Sequence, residues 1–362
     1  EPLYLTGDYA TVESLLLPQV EALEGEALPR AQALRTRIML QLGYVSSRMS
    51  LPQEAEKRFI RATEFARASQ SPQLMFQATG ALAQTYSVAG KYDQAIGMLQ
   101  GRIESDVGKS DELLRAATLS SLGMAYGRKG AAAQGLPYAR EGYEIRARVA
   151  PRDPNTHNTG WQLGISYMEN NQLDQAVDIM TRTYASSVEA SGANHADVVA
   201  GLVLLNYAKA RRGDGPGVIT PMREAIARQR QIGIPLQQVA QSRMYLAGAL
   251  MYVGQRREAV AEADATLAEL GEQSAPCGRG MVAVLLQIGS IFSAAGGAQE
   301  SLPYLERAFD CTKTDAAAAP FGARVAGAIV WSYRRLGDDA NAAKWQGIAT
   351  SLQPAPAKSS KD

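Results

Sequence analysis

Histidine is almost missing from this sequence of 362 residues: His157 and His195 are the only two. They lie 195 − 157 = 38 residues apart, so no histidine pair shares a helix face. There is no cysteine cluster either. These absences remove the usual metal-ligand spacings and most acid–base centres. The charge excess of either sign is also missing. With 37 basic and 36 acidic residues the net charge is +1, which argues against nucleic acid as the main partner. No run of about 18 apolar residues occurs, so this stretch holds no membrane span. No sustained Val/Ile/Thr alternation marks a strand. Gly108-Lys109-Ser110 looks like the end of a phosphate loop, but Ile103 stands where that loop needs glycine. A glycine-rich loop, His-Arg-Asp and Asp-Phe-Gly are all lacking. No cofactor, no metal and no catalytic residues are expected.

Aromatics are sparse as well, at 7%, within an apolar content of 46%. Alanine carries much of the difference, as closely packed helices require. Leu82 to Leu99 sets the pattern. Leu82, Tyr86 and Ala89 share one helical face. Gly90 follows, where a left-handed residue ends a helix. Asp93 then opens a second helix whose apolar face is Tyr92, Ala95, Ile96 and Leu99.

The unit recurs. A small residue in the second helix falls at Val12, Ala55, Ala95, Gly135, Ala176, Val218, Ala259, Ser301 and Ala342, at intervals of 43, 40, 40, 41, 42, 41, 42 and 41. A Leu-Gly-like pair in the first helix keeps step from Leu42-Gly43 to Ile329-Val330. A turn residue does too: Gly7, Ser50, Gly90, Gly130, Asn171, Gly213, Gly254, Gly296 and Gly337.

These residues resemble the tetratricopeptide repeat (TPR), and the period near 41 resembles its long, kinesin-light-chain-like form. In that form a Gly-x-x-His-Pro-like segment often starts the first helix, and Gly192-Ala193-Asn194-His195-Ala196 is similar to it, with Ala196 for proline. The resemblance implies an all-α fold, a TPR solenoid wound as a right-handed superhelix of antiparallel hairpins. Residues 1–352 form a single array on this reading, with a half repeat at 4–28 followed by eight hairpins. Residues 353–362 have no apolar face and are expected to be a disordered tail. The half-unit opening predicts a stretch cut from a longer chain.

In such arrays the first helix of each unit lines a concave groove. Carried onto this sequence, the groove positions include Arg37, Tyr44, Gln77, Gln84, Met124, Asn158, Trp161, Met168, Tyr207, Gln241, Met244, Met251, Trp331 and Arg334. Gap-filling between hairpins is the alternative role of each. The implied partner is a protein or peptide, with a homodimer as a further arrangement. The Lys/Asn set by which chaperone-binding TPR proteins hold a carboxylate is absent. Arg128-Lys129, Arg211-Arg212 and Arg334-Arg335 end first helices, where cations complement the helix dipole. Both histidines enter a first helix, where capping or packing is their expected role.

Cys277 precedes the first helix of one hairpin and Cys311 follows the second. Antiparallel helices bring those two ends level, so a disulfide is open geometrically; two unrelated buried thiols is the other reading. A bond would imply an oxidising compartment. Long-period, Ala- and Arg-rich arrays also resemble the extracytoplasmic sensor region of bacterial membrane-anchored Ser/Thr kinases. That resemblance implies a periplasmic, ligand-sensing domain that carries no kinase activity. A cytoplasmic scaffold or transcription-linked regulator binding a peptide is the competing reading.

Overall fold

Prolines and short polar side chains punctuate the chain at the intervals the repeat requires. Pro29, Pro52, Pro72 and Pro154 each stand at the first helical position, where the missing N–H costs nothing. Asp111 Oδ1 accepts from the Leu114 N–H at 2.9 Å, and Asp153 Oδ1 from the Asn155 N–H at 2.7 Å, capping two further helix starts. A computed structural model describes residues 9–49, 51–271, 277–316 and 318–352. Gly7, Ser50, the first residues of the expected half repeat and the expected tail at 353–362 lie outside them.

Among the described residues there are eighteen α-helices and no strand. The first, α1 (Tyr9–Glu21), packs on α2. Eight hairpins follow. They are α2 (Pro29–Arg48) with α3 (Pro52–Ala68), and α4 (Pro72–Val88) with α5 (Tyr92–Glu104). The one-turn α6 (Asp106–Ser110) precedes α7 (Glu112–Lys129) with α8 (Ala132–Val149). Then come α9 (Pro154–Glu169) with α10 (Leu173–Ser191), and α11 (Ala196–Arg212) with α12 (Ile219–Gln231). The last are α13 (Leu236–Tyr252) with α14 (Arg256–Gly271), α15 (Arg279–Ala294) with α16 (Ala298–Thr314), and α17 (Gly322–Leu336) with α18 (Asp339–Ser351). The chain divides into two compact units, Glu1–Ser186 and Ser187–Asp362.

The turn residue of seven units has positive φ: Gly90, Gly130, Asn171, Gly213, Gly254, Gly296 and Gly337, between 56° and 99°. A Cβ is disfavoured there, which is why glycine recurs and why asparagine is the one substitute. The marker residues from Ala55 to Ala342 are all buried. Their small size lets the paired helices touch. The Leu-Gly position then receives the side chain four residues past the marker. A Cβ on Gly43 would meet the Phe59 ring at 2.4 Å, and one on Gly289 would meet Leu305 Cγ at 2.4 Å. In the hairpins with glycine there, Gly43, Gly123, Gly164 and Gly289, a residue of the second helix is seated where the first helix has no side chain, and dispersion attraction across that close fit holds the pair together.

Two local expectations change. Val218 is not in the second helix of its unit but closes a 3₁₀ turn, Pro216–Val218, ahead of α12. The helix start is displaced because Gly215 (φ 83°) and Pro216 form the turn. Cys311 lies inside α16 rather than after it, 2% exposed. It is joined to Cys277 with an S–S distance of 2.06 Å. The Gly108-Lys109-Ser110 segment is in α6, where the Gly108 N–H bonds the Ser105 hydroxyl at 3.1 Å. Its backbone donor is used in capping a helix turn, not in cradling a phosphate.

Ion pairs tie neighbouring hairpins at their rims, Lys91 with Glu56, Lys129 with Asp93 and Arg223 with Glu258, and Arg148 with Glu112 joins the two ends of the α7–α8 hairpin. Solvent screens these exposed pairs, so they set register more than they add stability. Unit 2 also holds a buried hydroxyl chain. The Ser332 hydroxyl lies 2.9 Å from that of Ser301 on α16 and 3.0 Å from that of Ser293 on α15. No described helix is long and apolar enough to cross a membrane.

Candidate functional site

Residues spaced by three, four and seven share a helix face. On α4 this aligns Gln77, Gly80, Gln84 and Ser87; on α7 it aligns Leu114, Ala117, Thr118, Ser121, Met124 and Arg128. In unit 1 these two faces, with Tyr44 from α2 and Leu99 and Arg102 from α5, enclose a cavity of about 330 Å³. That lies at the small end of the range for ligand sites. Gln77 and Gln84 are exposed amides, Met124 is half-buried and Thr118 is buried. The lining contains Arg102 and Arg128 but no Asp or Glu.

Arg102 enters this cavity from the packed face of α5, three residues after the core residue Leu99. Its Nη1 donates to the Phe76 carbonyl at 2.6 Å and its Nη2 to Thr118 Oγ1 at 3.4 Å. The guanidinium carbon lies 3.8 Å from the centroid of the Phe76 ring, a cation–π contact. Nε is buried without a hydrogen-bond partner. Gly80 makes room, since a Cβ there would stand 1.5 Å from Nη1. Burial pulls the guanidinium down to about 10, with Tyr44 opposing. The group still carries its charge at neutral pH. Arg128 closes the far end, its Nη1 donating to Ser87 Oγ at 3.1 Å.

Of the positions carried over from the repeat pattern, the structure brings Tyr44, Gln77, Gln84 and Met124 together on this cavity. The others are elsewhere. Trp161 and Met168 in unit 1, and Tyr207, Met244 and Met251 in unit 2, are buried. They differ from the expected groove lining because their side chains fill the spaces between packed helices. Tyr207 sits 5.0 Å from the ring of Tyr245 and 6.0 Å from that of Tyr252, centroid to centroid. Burial, its largest influence, raises its pKa well above the phenol range. Gln241 is half-buried. Arg37 and Asn158 are exposed, as is Arg334, which donates to Gln346 Oε1 at 3.3 Å. Trp331 is 42% exposed beneath the Arg335 guanidinium.

Both histidines are spoken for locally. His157 Nε2 lies 3.0 Å from Ser186 Oγ, and burial lowers its pKa against the opposing charge of Asp153. His195 Nδ1 accepts from the Asp197 N–H at 3.3 Å as an N-cap. Among the described residues no three His, Cys, Asp or Glu side chains gather as a metal site.

Arg102, Gly80, Thr118 and Ser121 were not among the residues singled out from the sequence. The available signal was a glycine inside a helical pattern, which points to close approach, together with a cation on an otherwise apolar helix face.

No family model matches this chain, and no curated protein does. Solved structures do resemble it. The Rap protein complexed with competence and sporulation factor covers 95% of this chain and 97% of its own length, at 13% identity and a TM-score of 0.60. The apo form of the quorum sensor NprR from B. thuringiensis covers 85% of this chain and 84% of its own, at 15% identity and 0.59. BtubC (BKLC) from P. vanneervenii covers 63% and 91%, at 16% identity and 0.53. At these identities the likeness is one of fold: this is an all-α array of TPR-like hairpins.

Proposed function

We propose that the chain is a non-catalytic peptide-binding protein and that the α4–α5–α7 cavity of unit 1 is where the peptide sits. The observation carrying this reading is the lining itself. Two exposed amides, three aliphatic hydroxyls, a phenol, a methionine and two guanidinium groups surround about 330 Å³. Amides and hydroxyls suit the donors and acceptors of an extended backbone, and Met124 gives an adaptable apolar wall. The described partners and roles of two fold neighbours are consistent with a signal-responsive binder: one was solved with competence and sporulation factor, the other is a quorum sensor.

The test is capture of a random octapeptide library by the native protein and by Met124→Trp, whose larger ring would fill the cavity. Enrichment by the native protein that disappears in the variant, with helical circular dichroism retained, is expected. Equal enrichment by both proteins would move the site elsewhere.

An extracytoplasmic sensor role, within a membrane-anchored Ser/Thr kinase, is the finer form of this reading. The Cys277–Cys311 bond supports the compartment, because such bonds persist where conditions oxidise. The cytoplasmic regulator is its competitor. The sequence upstream of Glu1 separates them: a membrane helix preceded by a kinase domain supports the first, and a DNA-binding domain refutes it.

A further inference from the structure

Three partly buried arginines of this protein are paired with carboxylates. In unit 1 Arg58 pairs with Glu13 and Glu54, and Arg115 with Glu141; in unit 2 Arg243 pairs with Glu262 and Glu269. Arg102 has none among the described residues. Its two hydrogen bonds go to a carbonyl and a hydroxyl, both neutral. Arg35, Arg146, Arg228 and Arg279 also lack one among the described residues, but none of them lines the cavity, and Arg35 stacks on Phe65. A desolvated cation without a counter-charge is costly, and this one lines the cavity beside a second arginine with no acid in the wall.

From this we infer that the cavity selects a peptide bearing an internal aspartate or glutamate, whose side-chain carboxylate pairs with Arg102. The inference rests on the peptide-binding reading above. The position of the charge fixes which carboxylate is meant. Gln77 and Gln84 are seven residues apart on α4, or about 10 Å along the axis. Arg102 meets the helix at Gly80, between them. An extended peptide advancing about 3.3 Å per residue therefore has chain on both sides of Arg102, so a side chain rather than a terminus delivers the acid. Arg128, already bonded to Ser87 at the cavity end, adds long-range attraction of the same sign.

The probe is a random octapeptide library with acetylated and amidated ends, so that side chains alone supply carboxylates, beside a second library with free C-termini. The native chain is expected to enrich Asp or Glu at one central position of the capped library. Replacing that acid by its amide should weaken the synthetic peptide about ten- to a hundredfold, the worth of a hydrogen bond to a charged group. Arg102→Gln should erase the acidic preference. Gly80→Ala tests the same point with the charge kept, because the new methyl displaces the guanidinium; it should weaken the acidic peptide several-fold more than its amide form. Thermal melts identify a variant that has failed to fold, in which case Gly80→Ala decides. Enrichment without acidic bias, or an acidic preference that survives both substitutions, overturns the inference and leaves peptide binding standing. Enrichment confined to free C-termini overturns the internal carboxylate. No enrichment from either library refutes peptide binding and the inference together.

Discussion

Reduction of the Cys277–Cys311 bond should loosen unit 2 by an amount that follows from where the two residues stand. They are 34 residues apart in sequence. In the chain-entropy model the cross-link removes 2.1 + 1.5R ln 34 cal/mol/K from the unfolded state, which is about 3.8 kcal/mol at 25 °C. The bond joins the entry of α15 to the last turns of α16, so the loss concentrates on that hairpin. A domain of this size shifts by about 2–4 °C per kcal/mol, so the melting of unit 2 should fall by about 8–15 °C. Because Cys311 is only 2% exposed, reductant must be equilibrated through a cycle of denaturation. The assay is thermal unfolding followed by circular dichroism, oxidised against reduced, with amide exchange locating the change. A Cys277→Ala/Cys311→Ala variant should match the reduced protein and ignore reductant. Two thiols alkylated in the native, unreduced protein, or equal melting in both states, would refute the reasoning.

Trp161→Ala should cost about 3–5 kcal/mol, as for other buried large residues. Trp331→Ala should cost about 0.5–1 kcal/mol, the worth of its exposed contact with Arg335; denaturant melts compare the two. Gly254→Ala, at φ 83°, should destabilise by about 1–2 kcal/mol; Asn171→Gly should be neutral or stabilising in the same assay. For His157 the native pKa is lowered by burial, so the unfolded chain takes up the proton first. Its contribution to stability is complete above about pH 6.5, the unfolded value, and is lost as pH falls through the lowered native one. His157→Gln should flatten the dependence of melting temperature on pH in that window, and an unchanged slope would assign it to other groups.

The repeat was readable because it is a constraint on single residues. A positive φ admits glycine or asparagine almost alone, and a helix contact as close as Gly43 to Phe59 admits almost no side chain; either shows wherever it recurs. The turn residues from Gly90 to Gly337 and the buried markers follow from that. The cavity was only partly readable. Gln77 and Gln84 are polar residues on an inward-looking face, and their type agrees with their position. Trp161, Met168, Met244 and Met251 occupy equivalent positions, but whether such a residue faces a partner or its own neighbour depends on how successive hairpins lean, which the repeat period does not encode. Arg102 was hidden for a different reason. Its importance comes from what fails to surround it in space, and the missing carboxylate has no place in a linear pattern.

The hydroxyls of Ser293, Ser301 and Ser332 show how the second unit keeps its alignment. Each group can give or take a proton, so the row holds whichever way the hydrogens point. An aliphatic patch in the same place would tolerate a small slide of α17 across the preceding pair; three fixed oxygens do not. Stacking there is latched as well as greased, and an alanine at Ser332 should leave the pile standing but free to shift.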